Sequence, residues 1–271
     1  MPNQEQVIVS RPARYKKPQE IEKIRQAGRI VSHVLALLRD NARAGISTLE
    51  LDEIAHQEIT RQGGTPSFLG HRHGKHVYHH ALCASVNDEV VHGIPRSDRI
   101  LKEGDLVSLD IGVKHSGFHA DSALTVTVGR VSEEAERLLD VTRESLWRGI
   151  QAVRRNGRLQ DISRAVQRHV EANGFTVVRV LTGHGIGREL WEGPEILNYE
   201  DSKRPNPTLS PGLVLAIEPM VNAGAEDVKC LPDHWTIATK DGSLSAHFEH
   251  TIAITPRGYE ILTLGPHDPG R

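Results

Sequence analysis

The chain has 271 residues, of which 38% are hydrophobic and 25% charged, with a formal net charge of −2. That length and balance suit a soluble protein with a substantial core, while the near-neutral charge gives no footing for a nucleic-acid substrate. Cys83 and Cys230 are the only cysteines and lack CxxC spacing, no apolar run reaches membrane-spanning length, and the N-terminus lacks the apolar core of a signal peptide, so a reducing, cytoplasmic setting is expected.

Residues 1–17 carry Pro2, Pro12, Arg11, Arg14, Lys16 and Lys17. They read as a solvated arm, or else as a contact for an acidic partner such as ribosomal RNA. Helical spacing begins at Pro18: Ile21, Ile24, Ala27, Val31, Val34, Leu35 and Leu38 recur on one face, and Gly45 follows the end. Ser47 and Glu50 then form a capping box for a second helix with Leu51, Ile54, Ala55 and Ile59 inward. The period next changes to two. Leu106, Val107, Leu109, Ile111 and Val113 make one strand and Leu124, Val126 and Val128 another, joined through His115-Ser116-Gly117 as a hairpin.

The second half repeats this order. Ser132 caps a helix bearing Ala135, Leu138, Leu139, Val141, Leu146 and Ile150, and a further helix carries Ile162, Ala165, Val166 and Val170. Strands are expected at 176–181, 213–219, 235–239 and 250–255. Two rounds of helix, helix and strands predict an α/β (α+β) fold of two pseudo-symmetric halves, about 18–128 and 132–255, on a mostly antiparallel sheet. No linker separates the halves, so 18–265 is expected to form a single catalytic domain with a tail at 266–271.

Five residues stand out against these apolar segments. Asp110 (SLDIG) and Asp121 (HADSA) interrupt the two hairpin strands, Glu218 (AIEPM) ends one apolar strand and Glu249 (HFEHT) begins another. Asp is disfavoured inside strands, and a buried carboxylate is costly unless paired or bound to a metal. His184 lies between glycines in GHGIG, where the backbone can approach a site closely. Four acids and one imidazole suit two divalent ions such as Co²⁺, Mn²⁺, Fe²⁺ or Zn²⁺ better than a structural zinc, which favours thiolates.

At these positions the chain resembles the type I methionine aminopeptidases, from about Lys17 to Leu264, through "GISTLELDEIA", "SVNDEVVHGIP", "LVSLDIGV", "GFHADSALTVTVG", "GHGIG", "LAIEPM" and "SAHFEHTIAIT". The resemblance implies the pita-bread fold and removal of initiator methionine from nascent polypeptides with a small second residue, by a monomer. It implies that Asp110 holds one ion, that Asp121 and Glu249 bridge two, and that His184 and Glu218 complete the other. Glu218 is the implied general base, and His92 (VHGIP) the histidine near the scissile amide. Phe68, Cys83, Leu190 and Trp235 fall at substrate-pocket positions. Asn87 and Ser245 fall where the family binds a monovalent cation.

Two departures bear on substrate. Trp191 stands where the family has a second active-site histidine, and an indole N–H donates one hydrogen bond but carries no proton. The stretch from Gly70 to Cys83 is longer than the family's pocket loop, with His71, His73, His76, His79 and His80. It reads as a polar substrate lid, an accessory metal site or incidental surface histidines. Three functions therefore compete: the methionine enzyme, a relative of the same fold with altered or X-Pro preference, and a weakly active or non-catalytic binding paralogue.

Overall fold

The computed structural model describes residues 12–154, 156–266 and 268. Four helices form where apolar spacing predicts them: α1 (Pro18–Asn41), α2 (Thr48–Arg61), α3 (Glu133–Gln151) and α4 (Leu159–Ala172). The capping box at α2 is reciprocal: Glu50 N–H donates to Ser47 Oγ at 3.1 Å, and Ser47 N–H donates to the Glu50 carboxylate at 2.8 Å. Ser132 Oγ likewise accepts from Ala135 N–H at 3.2 Å. Each cap satisfies a donor that the first helical turn leaves orphaned.

The helices pack on a nine-stranded antiparallel sheet. Its central path runs Thr65–Pro66, Leu106–His115, Phe118–Thr127, Glu249–Thr255, Val214–Ile217, Thr182–Gly185 and Glu192–Leu197. Leu82–Val86 adds to one side of Leu106–His115, and Gly258–Ile261 to Glu249–Thr255. The hairpin turns at Ser116 (φ 51°) and Gly117 (φ 82°), the two left-handed residues that let the strands keep their twist. The halves meet where Phe118–Thr127 pairs with Glu249–Thr255. Repeated halves thus share one continuous sheet, with the pseudo-symmetry seam through its middle.

Several expected strands are shorter than predicted. The segment 176–181 is a strand only at Thr176–Val177, and 235–239 only at Ile237–Thr239. His184 and its flanking glycines lie in a strand, Thr182–Gly185. Residues 1–11 of the expected loose arm lie outside the described residues. The arm's end is anchored at two points, Ala13 bridging to Gly193 and Lys16 Nζ reaching the buried Glu192 carboxylate at 2.7 Å, while Arg14, Tyr15 and Lys17 stay exposed.

Candidate metal centre and substrate pocket

Strand register brings four of the five singled-out residues to one face, and Glu218 joins them just past a strand end. Asp110 pairs with Ala123, and Ala123 pairs in turn with Glu249, so both acids lie in one row with a methyl group between them. Asp121 pairs with Gly112, two residues along, and falls on the same face by the two-residue period. On the far side Thr251 pairs with Ala216, and Ala216 with His184, which carries the imidazole onto that face. Glu218 follows the end of Val214–Ile217, and its Oε1 lies 3.5 Å from His184 Nε2.

The glycines beside His184 serve packing. A Cβ on Gly183 would meet the Ala216 carbonyl oxygen at 2.4 Å, and one on Gly185 the Gly193 oxygen at 2.1 Å. Only glycine lets the neighbouring strands close on the histidine from both sides. The ring is oriented by the Gly185 carbonyl, 2.9 Å from Nδ1. A carbonyl only accepts, so Nδ1 carries the proton and the Nε2 lone pair points into the cluster.

Electrostatically the centre disfavours ionised carboxyls. Burial, reinforced by neighbouring carboxylates, holds Asp110, Glu218 and Glu249 well above the usual carboxyl range, and burial alone, against a lowering hydrogen bond with Asp110, raises Asp121 to about 7. Among the described residues, Asp110 Oδ1, Asp121 Oδ1 and Glu249 Oε1 are buried with no hydrogen-bond partner. Native interiors rarely leave such oxygens unpaired. One ligand atom each from Asp121, His184 and Glu249 lies within 4.8 Å of the others. Hard oxygen donors with one imidazole, left unsatisfied and converging, fit divalent metal ions.

Beside the carboxylates opens a cavity of about 280 Å³ whose walls include Phe68, Tyr78, Cys83, His92, Trp191 and Trp235. His92 takes a left-handed backbone conformation (φ 58°) that turns its ring toward the cavity, and burial lowers its pKa to about 4. Trp191 stands between two imidazoles, its ring centroid 4.3 Å from that of His71 and 6.3 Å from that of His184. Leu190 departs from its predicted place: its side chain packs into the hydrophobic core, not into the cavity wall.

The histidine-rich stretch forms a two-stranded ribbon, Arg72–His73 with His76–Val77. His71 and His73 line the cavity, whereas His80 pairs with Asp52 at 2.7 Å. Among the described residues no group of three histidines converges there, which disfavours an accessory metal site. Asn87 and Ser245 do come together, through Ser245 N–H donating to the Asn87 carbonyl at 2.9 Å. Sequence reasoning overlooked His247, a buried ring whose Nε2 lies 3.6 Å from Glu218 Oε2 and whose pKa burial lowers to about 3. Its position two residues before Glu249 was the available signal, although Phe248 breaks the strand between them.

The model of metallopeptidase family M24 matches residues 22–256. The chain belongs to that family. Its relatives within M24 include the methionine aminopeptidase of Clostridium perfringens, 51% identical over 92% of this chain and 98% of the relative. Methionine aminopeptidase 1 of Bacillus subtilis is 50% identical over the same shares. The crystal structure of methionine aminopeptidase from Thermotoga maritima superposes with a TM-score of 0.89 at 42% identity, covering 93% of this chain and 99% of that one. Pyrococcus furiosus prolidase superposes at 0.74 with 20% identity, and the chain covers 66% of its length, a likeness of fold alone. This M24 chain is a metal-dependent hydrolase with the pita-bread fold.

Proposed function

We propose that the chain removes the N-terminal methionine from nascent polypeptides whose second residue is small. The observation that carries this reading is the junction of an unsatisfied carboxylate–imidazole cluster with an aromatic-walled cavity of about 280 Å³. Phe68, Tyr78, Trp191 and Trp235 supply ring faces and edges, and a thioether gains from such contacts.

In this reading Asp110, Asp121, His184, Glu218 and Glu249 hold two divalent ions, with Co²⁺, Mn²⁺, Fe²⁺ and Zn²⁺ all compatible with the donors. Such ions supply positive charge that polarises a scissile carbonyl and lowers the pKa of water. Glu218 is the general base. Its side chain keeps 14% exposure, so water can reach it and yield a proton. His92 is neutral at pH 7, since its pKa lies near 4, and so has both a donor and an acceptor for the substrate's amine and amide. Trp191 brings its indole ring to the cavity wall beside His184. Asn87 and Ser245 are retained as a monovalent-cation site built largely from backbone oxygens.

We take 18–265 as one catalytic unit acting as a cytoplasmic monomer, with the basic N-terminal stretch offering a ribosome contact. No helix among the described residues is long and apolar enough to cross a membrane. The deciding assay uses protein stripped of metal and reloaded, on Met-Gly, Met-Ala and X-Pro peptides. Release of methionine from the first two supports the reading, and preferential X-Pro cleavage, or no cleavage with metal bound, overturns it.

A further inference from the structure

Eight buried side-chain nitrogen or oxygen atoms lack a hydrogen-bond partner among the described residues, and His247 is the one side chain that contributes two of them. Divalent ions account for the three orphaned carboxylate oxygens. They do not account for both nitrogens of one ring, since a ring presents a single nitrogen to an ion.

The ring is held in place without relying on its own polar atoms. His247 N–H donates to Thr125 Oγ1 at 2.8 Å, and the same hydroxyl donates to the His247 carbonyl at 2.9 Å. This clamp fixes the Cα against the Phe118–Thr127 strand, and the side chain is only 2% exposed. From there Nε2 faces Glu218 Oε2 at 3.6 Å, while His184 Nε2 faces Glu218 Oε1 at 3.5 Å. One carboxylate therefore lies between two imidazoles, one to each oxygen. The group that His247 Nε2 faces is therefore the Glu218 carboxylate.

We propose that His247 is a positioning residue for Glu218, donating its Nε2–H to Oε2 so that Oε1 stays turned toward the metal centre. The proposal rests on the reading of Glu218 as a metal ligand. A small rotation of the carboxylate brings the 3.6 Å separation to hydrogen-bond length. Partners that orient a ligand in this way typically contribute about 10–100-fold in metal affinity.

The test compares His247→Leu, which removes the donor at similar bulk, with His247→Gln, which keeps an N–H of similar reach. Stripped protein is titrated calorimetrically with Mn²⁺, and kcat and KM are measured on a Met-Ala peptide. In His247→Leu one of the two ions should bind about 10–100-fold more weakly, with kcat falling and KM nearly unchanged. His247→Gln should stay within a few-fold of the unsubstituted protein. Unchanged titration and kcat in His247→Leu would overturn the proposal, as would a glutamine variant as impaired as the leucine one, which would make the ring itself a ligand. If melting shows that His247→Leu does not fold, His247→Asn, whose amide cannot reach Glu218, takes its place. Asp121→Asn separates the two readings: if it too titrates like the unsubstituted protein, the metal-site assignment fails, not the role of His247.

Discussion

Asp110 and Asp121 lie diagonally across the hairpin, on one face and two residues apart in register, with no lysine or arginine among the described residues paired to either. Burial raises the Asp121 carboxyl from 3.8 to about 7. A carboxyl raised in this way binds a proton on folding. Its contribution to stability is complete below pH 3.8 and lost as pH rises to about 7. Buried His92 acts oppositely, its contribution being lost as pH falls from 6.5 to about 4. That second effect is shared by loaded and stripped protein and cancels in their difference. The gain in Tm on adding Mn²⁺ to stripped protein is therefore expected to be larger at about pH 7.5 than at about pH 5. An equal gain at both, by scanning calorimetry, would contradict the electrostatic account.

Trp191 flanks the cluster with a ring that donates one hydrogen bond and cannot take up a proton. A donor aimed at a developing oxyanion contributes about 10²–10³ in rate. Trp191→His is expected to raise kcat on Met-Ala peptides toward that range. No gain, in a variant that folds and binds two equivalents of metal, would show that the indole already meets the need.

Gly185 is the neighbour that lets His184 sit in a closely packed strand. Because a Cβ there would approach the Gly193 carbonyl oxygen to 2.1 Å, Gly185→Ala must push two strands apart. Overpacking of this kind costs about 1–3 kcal/mol. At roughly 2–4 °C per kcal/mol for chains of this size, Tm should drop by several degrees, together with a loss of metal affinity. A variant with unaltered Tm would show that the strands can separate freely.

Lys16 and Glu192 form a buried pair, with side chains 4% and 1% exposed. Glu192 also accepts from the backbone N–H groups of Arg188 (2.9 Å) and Glu189 (3.2 Å), which fixes the loop leading into Trp191. Removing one member of a buried pair costs about 3–5 kcal/mol, because the other charge is left uncompensated. With Arg14 Nη1 still 4.0 Å from the carboxylate, Lys16→Met should lower stability by somewhat less than that and raise KM, and adding Glu192→Gln, which keeps an acceptor for the two backbone N–H groups, should recover much of the stability without the KM. Denaturant melts of the single and double variants, beside steady-state kinetics, check both parts.

The helices, the hairpin and the five acid or imidazole positions were legible because their signals are local. A capping box spans four residues, a hairpin turn two, and an aspartate inside an apolar strand contradicts its neighbours. Thr182–Gly185 was not legible as a strand, since a four-residue segment half made of glycine has no alternation to read. Its pairing with Val214–Ile217 and Glu192–Leu197 is a tertiary fact. Leu190 was misplaced for a related reason. Its neighbour Trp191 reaches the cavity, and adjacent residues in such a loop can point in opposite directions. His247 carried a usable signal, but Phe248 breaks the ladder between Ser245–His247 and Glu249–Thr255, so strand alternation across that break needed the structure to justify it.

The gap between Asp110 and Glu249 is set by a residue with no ligand atom. Ala123 occupies the intervening place in the row, and its methyl group leaves the two carboxyls facing across open width. A valine or leucine there would put hydrocarbon between acids that still have to be neutralised. Such a protein should bind metal poorly while keeping its buried carboxyls uncompensated, which makes the smallest side chain in the row the one that leaves room for the charge the others need.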